Sequence, residues 1–557
     1  MRLMSYRSLR SFLERLERAG ELVRVADPVD PVLEMAALAD RAAKQEGPAL
    51  LFENPRPSAG DKPPPYESGN PRPSAGDKPP PHESGSQRST AGGGTPPRGT
   101  PAHRRDAGVL PVAMNLFGTR RRAAWALSCE DLETPANELR ALLHLAPPVS
   151  FWDKLMMLPK LGKLAAYMPR HVGDGPVREI VETEPDLRSL PVLTTWPHDG
   201  GPFITLPQVV TRDPQTGLRN VGMYRLQVLG PRRLAMHWQL HKTATAHFRA
   251  YRKRGERMPV AIALGGDPAL TYCASAPLPP GIDEYLFAGF LRKEGVPLVK
   301  CVTNDLEVPA EADLVIEGFV DPAAPLVREG PFGDHTGYYS LADDYPALEV
   351  TCLTRRRDAI YPATVVGPPP MEDLWLGKAT ERLFLPLLQT IFPEVVDMSF
   401  PAEGVFHNLC FVAMRKEFPG HAKKLMHGMW GSGQMANTKT LVVFDDDVDV
   451  HDHSQCAWRA FANVDARRDL VVLEGPVDVL DHAAPSFALG AKLGVDATRK
   501  WAEEGGREWP EPCVHPPELL ARMDALYERL VPAAPPLRRP NIAPPPAASW
   551  SPRKGAA

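Results

Sequence analysis

Two carboxylates, Glu329 and Asp334, stand five residues apart in the stretch EGPFGDHTGYY (329–339), on a Gly-rich segment with aromatic neighbours. Two acids close to each other and to an arginine can divide the labour of proton transfer. The acid paired with the arginine stays ionised. One in an apolar, aromatic setting has its pKa raised and can deliver a proton. The competing reading is a turn in which Asp334 caps the residues that follow; the density of glycines and aromatics weighs against it.

Three further stretches carry groups of the right chemistry. In NVGMYR (220–225) an extended backbone would put Asn220, Gly222 and Tyr224 on one side and Val221, Met223 and Arg225 on the other. The Asn220 amide oxygen suits a hard cation, and Gly222 would let backbone approach a flat ligand. A buried Arg225 would need a carboxylate or phosphate. Taken alone, the hexapeptide reads more simply as an edge-strand asparagine and a surface arginine. In MHWQLHK (236–242), His237 and His241 lie four apart, which on a helix is the spacing of a metal pair. No glutamate follows His237 as in HExxH, and structural or surface histidines are the simpler reading. In PLPPGIDEY (277–285), Glu284 either complements a helix dipole or ligates Mg²⁺ or Mn²⁺.

Elements must hold these residues. The chain has 557 residues, which calls for two to four domains. A net charge of -4 gives no general pull toward nucleic acid or an anionic membrane. The seven cysteines are scattered and never form CxxC, which argues against a disulfide scaffold or structural zinc and fits a reducing cytoplasm. MRLMSYRSLRSF has no apolar core of a secretory signal, and no apolar run approaches the roughly 20 residues of a membrane span.

Leu9, Phe12, Leu13 and Leu16 recur at helical spacing, with Gly20 as a stop. Asp30-Pro31 predicts the start of a second helix running through Ala43. PALLFEN (48–54) reads as a buried strand, and its continuation VLPVAMNLFG (109–118) follows a long interruption. That interruption opens with a tandem repeat, NPRPSAGDKPPPYESG (54–69) and NPRPSAGDKPPPHESG (70–85). It has no apolar face to stack, which predicts a disordered insertion over 54–104 between two paired strands. The resulting expectation is an α+β / α/β multidomain chain. An α/β domain covers 1–175, and a β-barrel domain with helical insertions at 241–256 and 284–295 covers 176–365. A connecting helix follows at 366–393, then an α/β domain at 394–515, and a helix with a disordered Pro/Ala-rich tail at 516–557.

The combination NVGMYR, HWQLH, PLPPGIDEY, KCVTNDLEVPA, EGPFGDHTGYY, NTKTLVVFDDD and DATRKW, in this order, resembles the UbiD family of prenylated-FMN-dependent decarboxylases. The resemblance spans residues 5 to 510 outside the insertion. It implies a central split β-barrel that holds the flavin and a C-terminal α/β domain that dimerises. It also implies Mn²⁺ or Mg²⁺ on Asn220, His241 and Glu284, tying down the flavin phosphate, with a K⁺ site nearby. Met223, Tyr224, Arg225, His237, Trp238 and Gln239 would line the cofactor, with Lys242, Thr243 and Lys439 as further candidates. The catalytic trio carried over is Arg225, Glu329 and Asp334, with Asp334 the favoured proton donor. The implied reaction is decarboxylation of a hydroxylated aromatic acid in quinone biosynthesis, with the flavin as electron sink. The run HKTATAHFRAYRKRGER and the segment GPVDVLDHA (475–483) are similar to the menaquinone branch, whose acid is a 1,4-dihydroxy-6-naphthoate. The other branch acts on 4-hydroxy-3-polyprenylbenzoate. A flavin prenyltransferase would supply the cofactor, and a prenylated substrate would bring the protein peripherally to a membrane. Two rival classes are a flavin oxidoreductase, for which the acids would be superfluous, and a binding protein without activity.

Overall fold

A computed structural model of the chain describes residues 5–56, 109–143, 162, 164–279, 281–505 and 508–532. The repeat insertion, except its first residues, and the tail beyond 532 lie outside the described residues. The first helix, Leu9–Arg18, buries Leu9, Phe12, Leu13 and Leu16 as its periodicity predicts, and Ser8 caps it. The second helix starts later than Asp30-Pro31 predicts: it runs Glu34–Lys44. Asp30 instead accepts a hydrogen bond from the Val32 N–H, closing an Asx turn that delays the helix. The two strands flanking the insertion, Ala49–Phe52 and Val112–Met114, do pair, antiparallel, with Leu50 opposite Met114. Their sheet is completed by Leu22–Val25 on one side and by Tyr361–Pro362, parallel to Val112–Met114, on the other.

The central sheet has nine strands. Its order is Phe203–Ile204, Leu226–Gly230, Arg233–Met236, Ala347–Arg355, Leu314–Val320, Met258–Leu264, Gln208–Arg212 and Arg219–Gly222, with Ile180–Glu182 also on Ala347–Arg355. Residues along Met258–Leu264 alternate between two cores: Val260, Ile262 and Leu264 enter one, Ala261 and Ala263 the other. Helices Pro268–Cys273 and Glu284–Arg292 cover the second face.

Connectivity forces this sheet to curl. Arg219–Gly222 lies six strand spacings from Leu226–Gly230 along the sheet, about 29 Å if it were flat. Yet only residues 223–225 join them, and that link reaches at most about 14 Å. Met223, Tyr224 and Arg225 therefore bridge the open side of a rolled-up sheet whose edge strands do not pair with each other. This is a curled half-barrel, as a split barrel requires.

The helix Asp373–Ile391 leads into the last domain. There a five-stranded mixed sheet runs in the order Val395–Ser399, Leu409–Met414, Thr440–Asp445, Leu489–Asp496, Leu470–Pro476. Helix His421–Trp430 packs its Leu425, Met426 and Met429 on it. All seven cysteines are unpaired, and among the described residues no helix is long and apolar enough to cross a membrane.

Candidate active site

The stretch 329–339 folds as two small strand pairs. Val327–Glu329 pairs with Asp343–Tyr345, and Phe332–Gly333 pairs with Tyr339–Ser340. Asp334 begins the turn of that second hairpin, where its N–H donates to the Tyr338 carbonyl. The glycines serve close packing: Gly330 has φ +88°, and a Cβ on Gly333 would lie 2.1 Å from Trp196 Cδ1. Two side chains pin the segment: Gln227 accepts from the Gly330 N–H and Asp199 from the Gly333 N–H, each at 2.8 Å.

Arg225, at the end of the bridging link, meets both acids. Its Nε and Nη2 donate to the two Glu329 oxygens at 2.8 and 3.1 Å. Its Nη1 donates to Asp334 Oδ2, and Nη2 also reaches Ser340 Oγ at 2.9 Å. The guanidinium sits over the Phe332 ring, 4.8 Å from its centre. Glu329 is fully buried and Asp334 is 6% exposed, so each charge is compensated by a partner rather than by water.

His237 completes the cluster, with Nδ1 3.1 Å from Glu329 Oε2 and its ring 4.5 Å from that of Tyr345. Burial and the Arg225 charge push its pKa down, so the ring stays neutral. Nδ1 facing a carboxylate must carry the proton, which leaves Nε2 an acceptor. That Nε2 is buried without a partner among the described residues, and so is the neighbouring Trp238 Nε1–H donor.

Both acids are held ionised. Burial alone would raise Glu329, but hydrogen bonds from His237 and Arg225 outweigh it and hold the carboxyl at about 2. Burial of Asp334 is likewise overcome, by His335 and the Arg225 charge, and its pKa lies well below the usual carboxylate range. The expectation of one raised acid in this pair is therefore not met in the free protein: the aromatic setting is present, but each acid has cationic or N–H donors at contact distance.

The other sequence candidates divide into two groups. Glu284 reaches the strand that carries Asn220, accepting from the N–H of the next residue, Val221, at 3.0 Å, and burial raises it to about 7. Asn220 lies 3.5 Å from the Tyr224 hydroxyl. The space beside Gly222 is filled by the ring of Tyr224, whose atoms would be 2.3 Å from a Cβ there, so that glycine accommodates its own neighbour. Met223 packs on the second core. Trp238 and Gln239 line a cavity of about 280 Å³ with Phe248, Tyr345 and Phe487.

His241 and Thr243 are exposed around the start of helix Thr243–Arg254, and the charged neighbours of His241 are Lys242 and Asp478, not Glu284. Lys439 pairs with Asp481 in the last domain, and Lys242 faces Asp478. Among the described residues, no three His, Cys, Asp or Glu side chains gather as a metal centre.

Three residues at the cluster escaped the sequence reading: Ser340 on Arg225, His335 on Asp334, and His407, whose Nε2 lies 2.7 Å from His335 Nε2. Ser340 and His335 sit within or beside EGPFGDHTGYY, but only the hairpin register brings Ser340 opposite Phe332.

Comparison with known proteins agrees with this architecture. Family models for the N-terminal, Rift-related and C-terminal domains of 3-octaprenyl-4-hydroxybenzoate carboxy-lyase match residues 13–64, 170–369 and 374–497. An uncharacterized protein of Aquifex aeolicus is 45% identical over 529 residues, covering 94% of this chain and 99% of that one. One of Archaeoglobus fulgidus is 43% identical over 530 residues, covering 95% and 99%. Among solved structures, the UbiD-class enzyme HmfF from Pelotomaculum thermopropionicum in complex with FMN superposes with a TM-score of 0.68 at 28% identity, over 93% of this chain and 100% of that one. Vanillic acid decarboxylase of Sedimentibacter hydroxybenzoicus, in closed form, shares the fold with a TM-score of 0.74 at 23% identity, over 94% and 99%. With all three of its domains matched in order around a buried arginine-carboxylate cluster, the chain belongs to the UbiD family of carboxy-lyases.

Proposed function

We propose that this carboxy-lyase binds prenylated FMN and removes CO₂ from a hydroxylated aromatic acid, with Arg225, Glu329 and Asp334 at the reacting end. The observation that carries the reading is Arg225 clamped between two buried carboxylates, beside two consecutive residues whose buried ring nitrogens lack partners among the described residues. An acceptor at His237 Nε2 next to a donor at Trp238 Nε1 suits a flat, heteroatom-rich ligand. HmfF has been solved with FMN and, in an evolved dimeric form, with prenylated FMN.

His237, Trp238, Gln239, Met223 and Tyr224 would flank the flavin. Asn220 and Glu284 offer the oxygen donors that Mn²⁺ or Mg²⁺ prefers, with His241 turning inward from its exposed position to join them. When bound, the prenylated flavin supplies the electron sink for the departing CO₂. The protein supplies charge and the proton. Arg225, oriented by Glu329 and Ser340, presents its charge to the substrate carboxylate. An incoming carboxylate competes for that guanidinium and excludes water, which weakens the hold on Asp334 and raises its proton affinity. Asp334 then takes up a proton and delivers it to the carbon that has lost CO₂.

For the substrate we favour a 1,4-dihydroxy-6-naphthoate of the menaquinone route over a 4-hydroxy-3-polyprenylbenzoate, with a cytoplasmic homodimer as the working form. The test is CO₂ release by protein co-expressed with a flavin prenyltransferase, offered both acids with and without a prenyl chain. Release from the naphthoate supports the proposal. Release only from the prenylated benzoate reassigns the substrate. Bound prenylated flavin with no release from either reopens the substrate, and NADH oxidation instead would favour an oxidoreductase.

A further inference from the structure

His335 joins the catalytic acid to the other domain. Its Nδ1 lies 2.8 Å from Asp334 Oδ1, and its Nε2 lies 2.7 Å from Nε2 of His407, 72 residues further on. The Phe406 ring stacks on the His335 imidazole at 5.0 Å and 30°. The turn that presents Phe406 and His407 is unusual. Val405 and Phe406 take φ values of +44° and +51°, a left-handed region that a β-branched residue rarely enters unless its surroundings enforce it. His407 Nδ1 is buried without a partner among the described residues.

Two ring nitrogens at 2.7 Å share one proton, because one must donate and the other accept. Two arrangements fit the same heavy-atom positions. In one, His407 donates to a neutral His335. In the other, His335 is an imidazolium that donates to both Asp334 and His407. They differ by a single proton taken up at His407 Nδ1.

We infer that His335 and His407 form a relay that reloads Asp334 with the proton consumed in each turnover, and that it is complete only while the C-terminal domain is docked on the central one. This rests on the decarboxylase reading above. One proton from solvent binds His407 Nδ1, the Nε2 proton of His407 passes to His335 Nε2, and the Nδ1 proton of His335 passes to Asp334. Asp334 gives it to the carbon that releases CO₂, so one proton is consumed per CO₂ formed. The rings end in the opposite tautomers, and ring rotation resets them. The charged groups facing the pair come from several elements. Asp334 and Asp373 face His335 from the turn of the Phe332–Ser340 hairpin and from the connecting helix, and Asp478 and Lys242 face His407. Asp334, Asp373 and Asp478 favour the charged imidazolium, burial opposes it, and the balance raises the pKa of His335. Burial and the neighbouring His335 push His407 down to about 4, keeping it the neutral partner. Both histidines act through Asp334 and are positioning residues.

Histidine-selective ¹⁵N NMR of the cofactor-free protein reads the pair directly. The two rings should titrate as a unit, and His407→Gln should move both the His335 resonance and its midpoint. In cofactor-loaded protein, His407→Gln should lower kcat by roughly ten- to hundredfold, at or below the low end of a general acid's contribution. It should leave KM within about twofold, enlarge the solvent isotope effect on CO₂ release, and be partly rescued by added imidazole. Rings that titrate independently, or a His407→Gln protein with unchanged kcat, pH profile and isotope effect, would overturn the relay. A loss of KM together with folding, with the isotope effect unmoved, would reduce the pair to a structural contact and overturn it too. Wild-type protein that binds prenylated flavin but releases CO₂ from no acid offered would instead reopen the substrate, and the NMR titration of the two rings would then decide the relay.

Discussion

Substituting Glu329 by Gln removes one charge from a buried cluster without changing its shape, and the cost should depend on pH in a calculable way. The carboxyl falls from the ordinary 4.5 to about 2 in the folded protein. Because the folded value is the lower one, the stabilisation is fully present above pH 4.5 and is lost as pH falls toward 2. At 1.36 kcal/mol per factor of ten, the ionised Glu329 contributes about 3 kcal/mol at pH 7. Roughly 1 kcal/mol of that is gone by pH 4 and roughly 2 by pH 3. The physical source is the pair of Arg225 hydrogen bonds at 2.8 and 3.1 Å and the His237 bond at 3.1 Å, formed where water cannot compete. Urea unfolding of the cofactor-free protein, followed by tryptophan fluorescence at pH 7, 4 and 3, gives the comparison. Wild type and Glu329→Gln should differ by about 3 kcal/mol at pH 7, and the gap should narrow to about 1 by pH 3. A gap that stays constant across this range would refute the reasoning, because it would mean that shape and not charge holds the cluster.

Three other outcomes follow from the same geometry. Asp334→Asn should lower turnover of the cofactor-loaded enzyme at least about 100-fold while the apo fold persists; wild-type turnover would remove Asp334 from the proton-donor role. Trp238→Phe deletes a buried N–H that has no partner among the described residues. The apo protein should therefore unfold at equal or higher urea while FMN binds roughly tenfold more weakly by fluorescence titration, and unchanged FMN affinity would show that the indole does not meet the flavin. Gly333→Ala places a Cβ 2.1 Å from Trp196 Cδ1, so unfolding should show a loss of about 1–3 kcal/mol.

The amino-acid pattern carried the elements built on periodicity well. Leu9, Phe12, Leu13 and Leu16 form the buried face they predict, and the runs flanking the insertion pair as strands. Arg225 reached Glu329 and Asp334 in three dimensions although more than a hundred residues separate them. What stayed hidden depends on long-range placement. His335 was visible as a residue, but its partner His407 arrives from another domain through a strained turn that no local propensity announces. The protonation of the two acids was hidden for the same reason. A pKa is set by what lies within a few ångströms, and here that is His237, Arg225 and His335, brought together by tertiary folding. Asp30 shows the converse: a strong local signal for a helix start, diverted into a turn by its own side chain.

The pairing of Tyr361–Pro362 with Val112–Met114 also has a consequence in time. The first sheet of the chain is finished by residues that follow the entire central sheet. A ribosome working at roughly 5–20 residues per second needs roughly 12–50 s to travel from Val112 to Tyr361. Through that interval the edge of Val112–Met114 stays unpaired, a fully buried apolar strand in the finished protein and an open template during synthesis. The amino-terminal unit therefore cannot complete itself as it emerges, and a nascent chain halted before residue 361 should be the species that chaperones hold and that aggregates most readily.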